Sequence, residues 1–579
     1  MPNDQTAKSM LRFPLRGRFA AIMVPLIVAG AAAGQAPRSP TMAGRSPVYA
    51  PHGVAATSQP LATEAALGVL EHGGNAIDAA VAAAAVLSVV EPMMTGIGGD
   101  LFAIVWSAKE KRLVGLNASG RAGALMTRDE LLRRGRTQIV GRSAESITVP
   151  GALAGWQALL ARYGTITLAK AIQPAIRYAD EGFPVTPVIS QDWLGAAGVL
   201  EHDDGARATF LVADGSTRRT PRAGEWFRNR DYARTLRSIA SGGTRVFYDG
   251  TLGAKVVSRV HELGGFLTME DLRKNQPAWV TPISVDFKGY RVWELPPNNQ
   301  GIATLEMLKM LEPYDLLALG HNSSAYLHLL IEAKKLAYAD LARYVGDADH
   351  LTVPPNHLLS DQFIAERRSH IDRAHAATRV DPGPALTSSE TIYLTVADSA
   401  GNMVSFINSL FDEFGSGVVV PGTGFALHDR GAGFTLEAGL PNTVAPGKRP
   451  FHTLIPGFVT RPSSQPQADG RGDEPWMSFG LMGGAMQAQG HVQFLLNLLV
   501  FGMNVQQSMD AARFRHLEGT RVVLEAPIAD SVRAALTALG HEITTMRGQP
   551  FGGSQAIIKL PRGYMAGSDP RKDGYAGGY

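Results

Sequence analysis

The stretch Thr391-Ile392-Tyr393-Leu394-Thr395-Val396-Ala397-Asp398 decides how the chain is read. Its β-branched and aromatic residues predict a strand that begins at Thr391. Before it lies a polar, turn-rich run, Asp381-Pro382-Gly383-Pro384-Ala385-Leu386-Thr387-Ser388-Ser389-Glu390. After it come a Ser399-Ala400-Gly401-Asn402 turn and a second strand, Met403 to Phe411. A cut at Glu390–Thr391 gives the threonine a free amine beside its own hydroxyl. One residue then holds both a nucleophile and a base, a pairing suited to acyl transfer. Taken locally, Thr391 also reads as an ordinary strand former.

Outward from this stretch the chain falls into two halves. Residues 125–375 read as mainly helical, with Ser323 to Tyr344 the clearest case, and residues 376–390 form a break. From 391 to 579 the pattern turns to strands and glycine turns, with a polar loop at 462–474. Near the start, Pro60 suits a first helical turn, and the Leu61-to-His72 stretch ends at Gly73-Gly74. Asn75 caps a second helix with Asp78 at its positive end. That helix, to about Val90, is Ala-rich and apolar nearly all round, so it is expected to be buried.

Composition narrows the chemistry. A hydrophobic share of 45% and a charged share of 18% are ordinary for a globular chain. A net charge of +3 is too small to imply a nucleic-acid partner. The absence of Cys excludes disulfides, thiol catalysis and Cys-ligated metal centres. The sequence has no G-x-x-x-x-G-K-[ST] loop, no G-x-G-x-x-G after a strand and no H-E-x-x-H helix. No cofactor and no metal are expected. At 579 residues the length prior is three or four domains.

The N-terminus reads as a signal peptide over residues 1–33. Lys8, Arg12, Arg16 and Arg18 precede the 15-residue apolar run Phe19 to Ala33, and Ala31-Ala32-Ala33 supplies a small-residue cleavage site. The run is shorter than the roughly 20 residues that span a bilayer. Export to the periplasm or beyond is expected, without stable membrane insertion, and an uncleaved anchor is the alternative. Residues 34–47 read as a disordered Pro/Ser-rich spacer.

From about residue 48 onward the chain resembles the gamma-glutamyltransferase family. Gly73-Gly74-Asn75-Ala76-Ile77-Asp78-Ala79-Ala80, Gly96-Ile97-Gly98-Gly99, Val149-Pro150-Gly151, Pro296-Pro297 and Tyr344-Val345-Gly346-Asp347 follow in the family's order. Phe414-Gly415-Ser416-Gly417, Lys448-Arg449-Pro450, Gly483-Gly484 and Ser568-Asp569-Pro570-Arg571 complete the series. The resemblance implies an α+β fold, the N-terminal-nucleophile hydrolase αββα sandwich, built as one globule from two fragments of a self-cleaved precursor. It implies cleavage between Glu390 and Thr391, a large subunit of residues 48–390 and a small catalytic subunit of 391–579 that stay associated. It makes Thr391 the nucleophile, Ser409 the hydroxyl bonded to it and Gly483 with Gly484 the oxyanion donors. Glycines also offer backbone N–H groups with no side chain in the way.

The resemblance also shows departures. The family holds a substrate α-amine with an Asn, a Gln and an Asp, and the matching positions here are Phe411, Arg430 and Gly433. One charge-assisted hydrogen bond is worth roughly 1.5–3 kcal/mol, so this is a large loss. The family's carboxylate-binding Ser pair has become His452-Thr453, and its Arg position holds Ser119, with Arg121 two residues on. The segment between Pro441-Asn442 and Lys448 is short for the family's lid. The expected pocket takes an acid without an α-amine, bounded by Arg121 and Arg430, with His452 and Thr453 on its wall. Arg430 as a surface salt-bridge residue is the other reading. The expected partner is a small-molecule amide. Oxamate amidohydrolase-like or glutaryl-cephalosporin acylase-like activity is the implied alternative to glutathione hydrolysis. An unprocessed, non-catalytic protein that binds an anionic ligand is the alternative of another class.

Overall fold

The computed structural model describes residues 44–380, 390–463, 472–546, 548 and 550–579. The expected signal peptide, most of the spacer, most of the break before Thr391 and most of the 462–474 loop lie outside them. The framework is two seven-stranded sheets. The first runs, edge to edge, Tyr575–Gly578, Val54–Thr57, Glu390–Ala397, Met403–Phe411, Asp100–Ser107, Arg112–Ala118 and Ala278–Val280. The second runs Val48–Ala50, Tyr564–Ser568, Gly553–Lys559, Asp473–Met482, Gly457–Pro462, Tyr290–Glu294 and Ile283–Phe287. Every pairing in both is antiparallel.

Three apolar clusters fix the layers. Phe102, Ile104, Tyr393 and Ile407 of the first sheet meet Phe458, Met482, Ile557 and Ala566 of the second. The other face of the first sheet (Leu101, Ala103, Leu394, Phe406) packs on the helices Pro60–Glu71, Ala76–Val90 and Ala152–Tyr163. The other face of the second sheet (Val292, Met477, Ala556) packs on Gly301–Leu311, Ser324–Tyr344 and Met486–Leu499. Strands with apolar partners on both faces read as near-continuous apolar runs. The length prior of several domains does not hold, because the described residues form one compact unit around these layers.

The Ala76–Val90 helix is buried at all its positions, as its composition demands. Asn75 and Asp78 form a reciprocal capping box at its start. The middle of the chain is not purely helical: Ala278–Val280, Ile283–Phe287 and Tyr290–Glu294 supply the far strands of both sheets. The motif glycines mark close approaches. A Cβ at Gly98 would stand 2.1 Å from the Ala426 carbonyl oxygen, and one at Gly99 2.2 Å from that of Ser409. Only glycine lets these backbones touch, and the contact carries the strand Asp100–Ser107 alongside Ser409.

Candidate active site

Thr391 is fully buried near the start of its strand. The pairing with Met403–Phe411 runs Glu390↔Phe411 and then Ile392↔Asn408, so the register shifts at Thr391. Such a bulge re-aims a side chain. Thr391 Oγ1 donates to Ser409 Oγ (3.2 Å), and the Phe411 N–H donates to the same Ser409 oxygen (2.8 Å).

The glycine pair follows from the sheet-to-sheet register. Thr395 Oγ1 meets Ser478 Oγ at 2.6 Å. Two residues back, the Tyr393 ring lies 2.3 Å from where a Cβ on Gly480 would be. The strand Asp473–Met482 that makes these contacts ends directly before Gly483 and Gly484. Both have positive φ, 121° and 58°. Their carbonyls accept from Met486 N and Gln487 N, and the helix Met486–Leu499 starts there. A helix N-terminus adds partial positive charge at this point.

Arg430 is fully buried, not a surface residue. Its guanidinium stacks over the Phe411 ring, 4.1 Å from the centroid, and Nη1 donates to Thr453 Oγ1 (3.1 Å). Nε and Nη2 have no hydrogen-bond partner among the described residues. Burial lowers the Arg430 pKa to about 10, opposed by Asp100, Asp429 and Asp412, so it stays charged at neutral pH. The three positions of the amine ligand set are thus a cation, the ring beneath it and Gly433. The last is packed shut and not merely empty, since a Cβ there would stand 2.6 Å from the Phe451 carbonyl oxygen.

Behind Arg430 sits a buried acid between two imidazoles. Asp100 Oδ2 lies 3.1 Å from His452 Nε2 and 3.2 Å from His428 Nδ1, and Asp100 Oδ1 accepts from Gly120 N (2.9 Å). Burial alone would raise the Asp100 carboxyl, but the two imidazoles, His428 foremost, drive it well below the usual range. His452 accepts from Leu454 N at Nδ1 (3.3 Å), which leaves Nε2 as the donor toward Asp100. Burial, with the Arg430 charge, pulls its pKa down to about 3, so the ring is neutral. On the other side, Asp429 accepts from Asp412 N and Arg142 N, and burial together with Asp429 pushes the Asp412 carboxyl up. Arg142 pairs with Glu413 (2.9 Å) and lines a cleft of about 560 Å³ with His202, Ser416 and Gly417.

The structure brings Thr391, Ser409, Arg430 and Thr453 together. Arg121 stands apart from Arg430. It donates to Asp347 (3.1 Å) and to the Gly447 carbonyl (2.8 Å) and lies 3.6 Å from Asp349. Asp347 also accepts from Arg449 N, which explains the Tyr344–Asp347 motif as a clamp on the Lys448-Arg449-Pro450 turn. His452 faces Asp100. Sequence reasoning passed over Asp100, His428, Asp412 and Asp429. The signal for Asp100 was its place directly after Gly96–Gly99, and for His428 and Asp429 the tripeptide ending in Arg430.

The described residues hold one group with metal-ligand spacing, His328, Glu332 and His541. It is already closed on itself. His328 Nδ1 and His541 Nε2 are 2.8 Å apart, and the Lys335 ammonium sits 2.7 Å from Glu332 as the internal cation.

Comparison with known proteins identifies the chain's relatives. The family model described as Gamma-glutamyltranspeptidase matches residues 62–579. The chain belongs to the gamma-glutamyltranspeptidase family. It is 36% identical over 535 residues to the Glutathione hydrolase-like YwrD proenzyme of Bacillus subtilis (strain 168), covering 90% of this chain and 97% of that one. It is 33% identical to the Oxamate amidohydrolase proenzyme of Klebsiella pneumoniae subsp. pneumoniae, covering 91% and 98%. The solved structure of cephalosporin acylase from Bacillus halodurans superposes with a TM-score of 0.85 at 41% identity, covering 94% of this chain and 99% of that one. Family members of this group are amidohydrolases and acylases, and the chain is an enzyme of that kind.

Proposed function

We propose that this family member is a self-processing amidohydrolase that cleaves itself before Thr391 and then uses the freed threonine as its nucleophile. The layering of helices, two facing sheets and helices supports the N-terminal-nucleophile sandwich that this mechanism needs. The free amine takes the Thr391 hydroxyl proton, directly or through water. The oxygen attacks the amide carbon, and the C–N bond breaks with the proton delivered to the leaving amine. Water then resolves the acyl-enzyme, and an amine does so where transfer competes. Gly483 and Gly484 stabilise the tetrahedral oxyanion, and Ser409 holds the attacking hydroxyl.

The preferred acyl group is an acid that ends in a carboxylate and lacks an α-amine. One observation carries this: Arg430 is a buried cation whose Nε and Nη2 have no hydrogen-bond partner among the described residues, joined to Thr391 through Phe411 and Ser409. A buried charge without a full set of partners is expensive unless a ligand completes it. Of the two arginines expected at this pocket, Arg121 is held by Asp347, which leaves Arg430. The names of the relatives fit an acyl range from oxamate to cephalosporin side chains, and glutathione hydrolysis takes second place. The basic and apolar character of the N-terminal sequence supports an enzyme that acts outside the cytoplasm.

The test is the intact mass and N-terminal sequence of purified protein, followed by an amide panel. A 189-residue fragment (391 to 579) starting Thr-Ile-Tyr-Leu is expected, with Thr391→Ala remaining uncut. Among γ-glutamyl, glutaryl, succinyl and oxalyl anilides, the γ-glutamyl compound is expected to be hydrolysed more slowly than the best α-amine-free acid. A single uncut, inactive chain refutes the mechanism, and γ-glutamyl preference refutes the pocket.

A further inference from the structure

Gln300 lies at the start of the helix Gly301–Leu311, directly after Pro296-Pro297-Asn298-Asn299, and is fully buried. Its single amide nitrogen makes two hydrogen bonds. Nε2 donates to the Gly484 carbonyl (2.8 Å) and to the Thr453 carbonyl (2.7 Å). These contacts fix the amide's orientation, because the flipped form would set oxygen against two carbonyl oxygens. Gly484 belongs to the turn that opens the helix Met486–Leu499, the proposed oxyanion side, and Thr453 receives Arg430. One side chain therefore ties the oxyanion side of the site to the acyl-acid side. The backbone does the same from below: Gln300 N donates to the His452 carbonyl (3.1 Å) and His452 N to the Asn298 carbonyl (2.8 Å). Gln300 Oε1 is buried with no donor among the described residues.

We propose that Gln300 is a positioning residue that holds the Gly483–Gly484 turn and the Arg430–Thr453 wall at a fixed separation, so that a bound acyl acid meets the oxyanion donors. The assignment rests on Thr391 being the nucleophile and Arg430 the acid receptor. Both N–H groups of the amide are needed, one for each wall. Removing them loosens the two halves of the site together, and a displacement of about 1 Å can cost about 100-fold in rate.

Two variants test this with the cleaved enzyme and glutaryl p-nitroanilide, or whichever anilide of the panel the wild type hydrolyses fastest. Gln300→Met keeps the volume and removes both donors. It is expected to lower kcat and raise KM together, with kcat/KM down about 100-fold. Gln300→Glu supplies one O–H donor when protonated and none when ionised, and burial against two carbonyls raises its pKa. Its activity relative to wild type is therefore expected to fall by about tenfold as the pH rises from about 5 to about 8. A Gln300→Glu profile parallel to wild type, or a Gln300→Met enzyme within about twofold of it, overturns the proposal. Failure of both variants to accumulate as folded, cleaved protein also counts against it and makes Gln300 a structural brace alone. A wild type that neither cleaves itself nor hydrolyses any anilide refutes the underlying function instead, so the two failures are distinct.

Discussion

Replacing Arg430 with methionine removes the charge while keeping a flexible apolar chain over Phe411. Hydrogen bonds from Nε and Nη2 to a substrate carboxylate would be worth about 1.5–3 kcal/mol together with the charge, or about 10- to 100-fold in affinity. KM for glutaryl p-nitroanilide is expected to rise by that factor, and KM for the neutral butyryl anilide to change by less than about threefold. Equal losses on both would remove Arg430 from the acid-binding role. A second residue-scale prediction concerns acid stability. The folded protein holds His452 at about 3, below the ordinary 6.5 or so. Between those values the unfolded chain takes up a proton that the folded one refuses, so this ring makes stability fall as pH drops from about 6.5 toward 3. Asp100 acts in the same direction below about 4, whereas Glu91, pushed up to about 8 by burial, acts in the opposite one. The difference between His452→Asn and wild type isolates the imidazole. The variant's Tm is expected to decline less steeply over that window, and parallel Tm–pH curves would refute the assignment. Arg121 and Arg430 show what the sequence withheld at this scale. Both are arginines near motif residues, and only burial and the distant Asp347 tell the wall ion pair from the buried cation.

The helix Ala76–Val90 and the turn Gly483–Gly484 carry the element-scale predictions. Asn75 accepts from two helix N–H groups and also donates to the Tyr163 carbonyl (2.6 Å). Asn75→Ala is expected to cost about 1–2 kcal/mol, read as a lower Tm with kcat unchanged, because the cap is remote from Thr391. Gly483→Ala should do the reverse. At φ 121° an L residue is strained, and its Cβ would stand 3.0 Å from Gly552 Cα. The turn must shift, and loss of one oxyanion donor lowers kcat by about 100- to 1000-fold. A Gly483→Ala enzyme with wild-type kcat would move the oxyanion site elsewhere. These elements were legible because their signals are local: an Asn-x-x-Asp cap, an Ala run with no polar face, a β-branched strand bounded by turns. The three strands between Ala278 and Glu294 were not. They are three to five residues long and lie in a region of helices. Only pairing with strands from both ends of the chain stabilises them. The buried Asp100 with its two imidazoles was illegible for the same reason, since Asp100 lies more than 300 positions before either of them.

At the scale of the whole molecule, a cut at Glu390–Thr391 would not divide the fold. In the first sheet Glu390–Ala397 and Met403–Phe411 lie between Val54–Thr57 and Asp100–Ser107, while Tyr575–Gly578 forms the edge beyond Val54–Thr57. In the second, four strands from beyond residue 391 lie between Val48–Ala50 and Tyr290–Glu294. Each fragment alone would expose several strand edges and the apolar faces that now meet between the sheets, with neither the layers nor the hydrogen bonds complete. The fragments are therefore expected to travel as one species of the uncut chain's size in gel filtration, to separate only in denaturant, and to unfold in one transition followed by both far-UV CD and Trp fluorescence. Six of the seven tryptophans, Trp106, Trp156, Trp193, Trp226, Trp279 and Trp293, belong to the large fragment and Trp476 to the small one, so the fluorescence reports on both. The isolated 189-residue fragment, refolded alone, is expected to aggregate, and mixing it with the large fragment during dilution from urea should restore hydrolysis. If the two fragments separate under native conditions and the small one stays soluble and folded, the interleaved sheets are not what holds the enzyme together, and the site would have to be complete within residues 391–579. That outcome conflicts with Asp100 and Gln300, which come from the large fragment and touch the residues around Arg430 and Gly484.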